Sequence, residues 1–103
     1  MDICGLSTRV LVDSGATHSF ISIAFAEKLD IIPISIDSWI SILTPSGEVM
    51  ESRCSLKACP IKIKEWVLFA NLVILDIHDF DVIFGMDWLC KYYAIRRLFY
   101  SNL

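Results

Sequence analysis

The sequence predicts a single, mainly β domain with two short helices. Three features of the 103 residues indicate this fold class: the apolar, β-branched runs are short, Gly, Pro and Ser residues separate them, and only two stretches are compatible with a helix. Hydrophobic residues make up 55% of the chain, above the ~45–50% typical of soluble domains. This apolar share excludes a disordered or low-complexity chain and predicts apolar surface for a partner.

The first elements predicted along the chain are a buried strand and an amphipathic helix. Arg9–Asp13 is apolar and β-branched, and Ser14-Gly15 ends it in a tight turn. After Ser19, which we expect to be the N-cap, apolar residues recur at helical spacing. These residues are Phe20, Ile21, Ala24, Phe25 and Leu29. Pro33 biases Ile32 away from helical dihedral angles and ends this pattern.

A β-hairpin is predicted in the middle of the chain. Ser38–Leu43 alternates in part, Thr44–Gly47 has turn composition, and Glu48–Ser52 leads away from the turn. Gly47 suits a turn position with positive φ.

The second half of the chain predicts further strands and the second helix. Pro60 is expected to separate the hairpin from the alternating strand Ile61–Lys64, and Trp66–Leu75 is expected to supply another strand or two. The acidic connection Asp76–Asp81 follows it. Val82–Gly85 is then a short apolar strand closed by glycine, and Met86–Tyr93 is helix-compatible.

Charge and composition argue against several classes of function. The net charge is −3 and the basic residues form no long run, so no nucleic-acid partner is expected. The longest near-continuous apolar stretch, Trp66–Leu75, has ten residues and is interrupted by Asn71, so it is shorter than the ~20 residues of a membrane-spanning helix. No basic segment leads into a secretory signal, and we expect no membrane partner. The four cysteines lack zinc-ligand spacing, which predicts reduced packing thiols and no metal.

The strongest chemical motif is the segment Val10–Thr17, which contains Asp13-Ser14-Gly15. A carboxylate at the end of a buried strand can be held by backbone N–H groups of the turn while it faces a cleft. Asp-Ser-Gly alone is weak support for catalysis, because the same tripeptide is typical of a purely structural Asx-type turn.

A second motif, Ile83-Phe84-Gly85, lies far downstream, where glycine permits close packing of two backbones. Together with it, residues 10–22 and 80–89 resemble the retropepsin-like aspartic protease domain of long-terminal-repeat retrotransposons. The similarity is greatest to plant Ty3/gypsy-type polyproteins and extends from about Ile3 to Tyr93.

This resemblance implies a retropepsin-like half-barrel, a closed acid-protease β-barrel, over residues 1–93, with a divergent tail at 94–103. It implies that Asp13 is the catalytic aspartate and that no metal or other cofactor is needed. The residues that would support the active site are Ser14, Gly15, Ala16, Thr17, Ile83, Phe84 and Gly85. The residues that would form the substrate flap are Thr44, Pro45, Ser46, Gly47 and Glu48.

The chemistry adds a requirement for a second chain. Aspartic proteolysis uses two carboxylates that share a proton, one as base and one as acid. Neither Asp81, interpreted as a loop charge, nor Asp87, interpreted as an acid in the first helical turn, begins a second Asp-Ser/Thr-Gly turn. We therefore predict a homodimer with one Asp13 per subunit. The resemblance implies that it cleaves Gag-Pol-type polyprotein, and the clamped, extended substrate favours apolar junctions. The implied location is cytoplasmic, including retrotransposon virus-like particles.

An alternative function follows from the two ends of the chain. Family domains carry a longer segment before the strand at Ile3 and a strand after Tyr93, which residues 94–103 match poorly. Terminal strands often hold such dimers together. The alternative is thus a catalytically inactive relic or a protein-interaction domain with the same fold.

Overall fold

The computed structural model describes residues 2–43, 47–63 and 65–92. Within them the chain forms eight strands and two helices, numbered here in chain order. The strands are β1 (Asp2–Ile3), β2 (Leu6–Ser7), β3 (Val10–Val12), β4 (Ser19–Ser22), β5 (Ile34–Leu43), β6 (Val49–Ile63), β7 (Trp66–Leu75) and β8 (Val82–Phe84). The helices are α1 (Ile23–Ala26) and α2 (residues 86–92).

The eight strands form one curled sheet. Its order is β2-β1-β6-β7-β4-β8-β3, and β5 pairs with β6 outside this path. The long antiparallel hairpin of β5 and β6 and the next hairpin of β6 and β7 build one side. This architecture confirms the predicted mainly β, retropepsin-like half-barrel with two short helices.

Three short strands lie side by side at the other side of the sheet, where the two sequence motifs meet. β8 lies between β3, with which it is parallel, and β4, with which it is antiparallel. Each residue of β8 is buried, and so is each residue of β4. Strands buried on both faces read as continuous apolar runs. This arrangement brings the end of β3 beside the end of β8, although about 70 residues of sequence separate them.

Apolar residues from both sides of the sheet form the core. Phe84, Ile21 and Leu72 are fully buried in its main cluster, and Trp88 of α2 packs against it. The Trp88 ring stacks on Phe84 with 4.2 Å between ring centroids. The Tyr92 hydroxyl hydrogen-bonds the backbone N–H and C=O of Phe69 in β7, at 2.6 and 2.7 Å. Helix α2 is therefore fixed both to β8 and to β7.

The predicted start of the first helix is wrong. Residues 19–22 form β4, and α1 begins only after Ser22, whose hydroxyl accepts the Phe25 N–H at 3.0 Å. Ser22, not Ser19, is the N-cap. Phe20 and Ile21 gave the helical pattern because both are buried, but β4 is covered on both faces and has no polar side to reveal its period of two.

Pro60 does not end a strand, contrary to the prediction, because β6 runs without a break from Val49 to Ile63. The residue opposite Pro60 is Phe69, and the N–H and C=O of Phe69 hydrogen-bond the Tyr92 hydroxyl instead of Pro60. At such a position an antiparallel ladder does not use the N–H that proline lacks. A register shift between Leu56 and Cys59, with Ala58 at φ 55°, precedes it.

The four cysteines are free, as predicted, but only one is a packing residue. Cys59 is buried, whereas Cys4, Cys54 and Cys90 are exposed. Burial, and then the neighbouring Cys4 thiol, raises the pKa of Cys59 to about 11. The Cys59 thiol therefore stays protonated at neutral pH and behaves as a small apolar side chain.

Candidate active site

Asp13 lies at the carboxyl end of β3, where the strand enters a tight turn. Its backbone N–H donates to the Phe84 carbonyl oxygen at 2.9 Å, so β8 fixes the position of the residue. Its side-chain Oδ1 accepts the Gly15 N–H at 2.9 Å, and its carbonyl oxygen accepts the Ala16 N–H at 3.2 Å. The turn thus holds one carboxylate oxygen, and the half-buried side chain faces a cleft.

Gly85 packs against this turn from behind. A Cβ atom built at Gly85 would lie 2.1 Å from the His18 carbonyl oxygen and 2.8 Å from that of Ala16. The next residue, Met86, donates its N–H to the Ala16 carbonyl oxygen at 2.7 Å. Only glycine fits between the two backbones, which is the close approach that the Ile83-Phe84-Gly85 motif predicted.

A buried hydroxyl joins the two motifs. Ser19 is fully buried; its Oγ donates to Asp87 Oδ1 at 2.7 Å and accepts the Gly85 N–H at 3.0 Å. The same Asp87 oxygen accepts the Trp88 N–H at 2.7 Å, at the start of α2. Asp87 is therefore in the first helical turn, as predicted, and it also anchors that turn to β4. A hydrogen bond to a charged acceptor is worth about 1.5–3 kcal/mol.

The cleft in front of Asp13 has a volume of about 550 Å³. Its floor is the turn after β3, one side is the β5–β6 hairpin, and the other side is the connection from β7 to β8. The lining residues are Leu11, Asp13, Gly15, Ala16, Thr17, Phe20, Ser41, Ile42, Leu43, Glu48, Met50, Leu75, Asp76, Ile77, His78, Asp79, Phe80 and Ile83. Most of these side chains are apolar, so the cleft suits a ligand with apolar side chains.

The hairpin expected to form the flap is only partly described. Thr44, Pro45 and Ser46 lie outside the described residues. Gly47 has φ +87°, which confirms that this turn position favours glycine. Glu48 lines the cleft and is exposed. Leu43 and Val49, where the two strands meet the turn, leave 71% and 66% of their surface in solvent.

The Asp81 carboxylate is bound by Arg9 at the base of the loop that forms one wall of the cleft. Its interpretation as a loop charge did not include this partner. Its Oδ2 accepts the Arg9 N–H at 2.8 Å, and its Oδ1 lies 3.4 Å from Nη2 of the same residue. Burial alone would raise the pKa of Asp81, but the Arg9 hydrogen bonds, with the charges of Arg9 and Lys28, lower it overall. The carboxylate therefore keeps its charge in mildly acidic solution.

The structure brings most of the predicted site residues together. Gly15, Ala16, Thr17 and Ile83 line the cleft beside Asp13. Phe84 and Gly85 lie behind the turn, and Ser14 is exposed at its tip. The catalytic and flap roles of these residues stay predictions.

Sequence reasoning missed the residues that connect the two motifs. The pattern predicts Ser19 as the N-cap of the first helix, and nothing in the sequence pairs it with Asp87 or pairs Arg9 with Asp81. The available signal was weak: Ser19 is the first residue of the buried β4, Asp81 directly precedes the buried β8, and Arg9 directly precedes β3. Such residues need hydrogen-bond partners wherever the fold buries them.

Neither a metal cluster nor a membrane helix occurs in the described part of the chain. Within residues 2–43, 47–63 and 65–92, no three His, Cys, Asp or Glu side chains are grouped to hold a metal ion. Over the same ranges, no helix has the length and apolar character needed to span a bilayer.

Comparisons with known proteins agree with the geometry of the site. Residues 1–102 match the family model described as retroviral aspartyl protease. The chain is also 28% identical over 92 residues to Protein DNA-DAMAGE INDUCIBLE 1 of Arabidopsis thaliana. That match covers 89% of this chain and 22% of the Arabidopsis protein, so the chain spans about a fifth of its relative's length.

Proposed function

Because the chain belongs to the retroviral aspartyl protease family, we propose that it is an aspartic endopeptidase, active as a homodimer with one Asp13 from each subunit. The family supports an aspartic-protease-like domain, and its members generally act as dimers on polypeptides. The observation that carries the proposal is the Asp13 carboxylate, held by Gly15 at the floor of an apolar cleft.

The proposed chemistry divides two tasks between two Asp13 side chains. One carboxylate takes a proton from a water molecule as it attacks the scissile carbonyl, and the protonated carboxyl donates to the carbonyl oxygen. Two carboxylates ~4 Å apart repel by about 4 kcal/mol at an effective dielectric of ~20, so only one ionises easily. Ser14, at the exposed tip of each turn, would brace the pair.

Exposed apolar side chains around the cleft support a second copy as the partner. Val12 precedes Asp13 and leaves 59% of its surface in solvent, and Leu43 and Val49 are exposed at the hairpin. Contiguous exposed apolar surface is typical of an interface. In a symmetric pair, the same surface would contribute from both subunits.

The substrate that we propose is an extended peptide in a polyprotein. An extended chain pairs its backbone with strand edges, and alternate side chains enter pockets. The apolar lining from Ile42, Met50, Ile77 and Phe80 favours apolar side chains at the cleavage junction. Gag-Pol-type polyprotein, and a cytoplasmic location that includes virus-like particles, follow from the retrotransposon resemblance of residues 10–22 and 80–89.

The proposal is tested by peptidase activity of the purified protein toward a peptide with an apolar junction. Activity near pH ~4–6, where a dyad shares one proton, is expected for the wild type and lost in Asp13→Asn. The assay is run at concentrations where sedimentation shows a dimer, with Asp30→Asn, at an exposed residue outside the cleft, as the matched control. Equal rates for wild type and Asp13→Asn would reject the enzyme and favour the inactive-domain alternative.

A further inference from the structure

We propose that Arg9 and Asp81 position the loop of residues 76–80, which forms one wall of the cleft, and thereby set the affinity for a peptide. Both are positioning residues, because neither lines the cleft. The inference rests on the proposed function, since it takes a peptide as the ligand.

The first line of support is the set of hydrogen bonds around the end of the loop. The Arg9 carbonyl oxygen accepts the N–H groups of Asp81 and Val82, at 2.9 and 3.2 Å, and the Asp81 carbonyl oxygen accepts the Ser22 N–H at 2.9 Å. In return, the Arg9 N–H donates to Asp81 Oδ2 at 2.8 Å. The residue at the base of the loop is thus bound to two separate segments of the chain.

The second line is the guanidinium of Arg9, which reaches into the loop itself. Its Nη2 donates to the His78 carbonyl oxygen at 3.2 Å and to Asp81 Oδ1 at 3.4 Å. One side chain therefore connects the middle of the loop with its base. The Asp81 side chain is 18% exposed, so the acceptor is largely withdrawn from water, whereas the Arg9 side chain is 64% exposed.

The loop needs such a connection because it has no regular secondary structure. Residues 76–81 are neither strand nor helix, yet 76–80 all line the cleft. Ile77 and Phe80 pack against a small apolar cluster with Phe20 and Val73. Apolar contacts fix the depth of a side chain, whereas hydrogen bonds to His78 fix the path of the backbone. An extended peptide would form backbone hydrogen bonds along the loop, so its affinity depends on the path of the loop backbone.

The experiment measures peptide affinity without hydrolysis. In an Asp13→Asn background, binding of a fluorescein-labelled apolar peptide is followed by anisotropy, at concentrations where sedimentation shows a dimer. Arg9→Met removes the guanidinium and keeps its apolar stem, and we expect the Kd to rise about five- to tenfold. Arg9→Lys, which cannot reach both acceptors with one planar group, should give a smaller rise. Arg53→Met, at an exposed arginine outside the cleft lining, is the matched control and should leave the Kd unchanged.

A second measurement separates positioning from general destabilisation. Amide hydrogen exchange at residues 77–80 should become faster in Arg9→Met while exchange in β6 and β7 stays unchanged. If Arg9→Met does not fold, peptide affinity and amide hydrogen exchange are both measured on Arg9→Lys.

The outcomes distinguish the two proposals. Unchanged peptide affinity and unchanged amide hydrogen exchange of the loop in both Arg9 variants would overturn the positioning role. The apolar contacts of Ile77 and Phe80 would then hold the loop alone. An Arg9→Met enzyme with normal kcat/KM would overturn it as well, with the protease function intact. If the wild type cleaves nothing but the Arg9 variants weaken peptide binding, the catalytic proposal fails and the positioning role stands. Absence of peptide binding in the Asp13→Asn background overturns both.

Discussion

The floor of the cleft and the hairpin above it are built in opposite ways. At the floor, Gly85 touches the backbone of residues 16–18 so closely that no side chain fits, and the fully buried Ser19 joins it to Asp87. At the hairpin, Gly47 has no atom within 4 Å of a built Cβ, and Leu43 is 71% exposed. The floor is specified by packing, whereas the hairpin is specified by turn conformation and leaves apolar side chains exposed.

The largest expected effect is that of a methyl group at each glycine. Gly85→Ala should destabilise the fold by about 3 kcal/mol or more. The added Cβ atom would overlap the backbone carbonyl of His18, and backbone atoms in this tight turn cannot shift without disturbing the fold. Gly47→Ala should cost only ~1–2 kcal/mol, since the strain comes from φ +87° and the space is open. Urea unfolding monitored by tryptophan fluorescence measures both variants. Equal losses would show that the floor and the hairpin do not differ in packing.

A smaller loss of stability is expected from the hydroxyl behind the active-site turn. Ser19→Ala leaves the Gly85 N–H and an Asp87 oxygen without this partner, which should cost ~1–3 kcal/mol. Ser19→Thr keeps the hydroxyl and tests whether the hydrogen bonds, not the loss of volume, matter. Ser38→Ala, at an exposed serine of β5, provides the matched serine control. A free energy of unfolding that is equal for wild type and Ser19→Ala would contradict the role of this network.

The smallest expected effect is a dependence of stability on pH at the cleft wall. The pKa of Asp81 is lowered in the folded protein from its ordinary 3.8. Its stabilising contribution is therefore complete above the unfolded pKa and is lost as the pH falls through the folded pKa. Between about pH 5 and pH 2, Asp81→Asn should flatten the fall in unfolding free energy relative to the wild type. Asp30→Asn, at an exposed carboxylate outside the cleft, is the matched control. Identical slopes for wild type and Asp81→Asn would refute the coupling.

Several parts of the fold follow from local chemistry and could be predicted. The run Trp66–Leu75 is one strand, Gly47 occupies the left-handed turn position, and Gly85 closes a short buried strand before a helix. Each depends on neighbours in the sequence: β-branched residues, a glycine with positive φ, or a break in an apolar run. The family resemblance, carried by residues around Asp13 and Gly85, also came from linear motifs.

Predictions failed where burial on both faces removed the periodic signal. Phe20 and Ile21 lie in a strand between β7 and β8, although their spacing to Ala24 and Phe25 is helical. Pro60 stays inside β6 because Phe69 directs its polar groups to Tyr92. In both cases the deciding neighbour is distant in the sequence, so no local pattern contains it.

The sequence by itself determined the class of fold, the position of Asp13 at the end of a strand, and the turn at Gly47, because these depend on dihedral preferences and short-range polarity. Only the tertiary structure decided that Ser19 would bind Asp87 and that Arg9 would bind both Asp81 and His78. Buried polar groups must find partners, and which partner each finds is fixed by how β3, β4 and β8 pair.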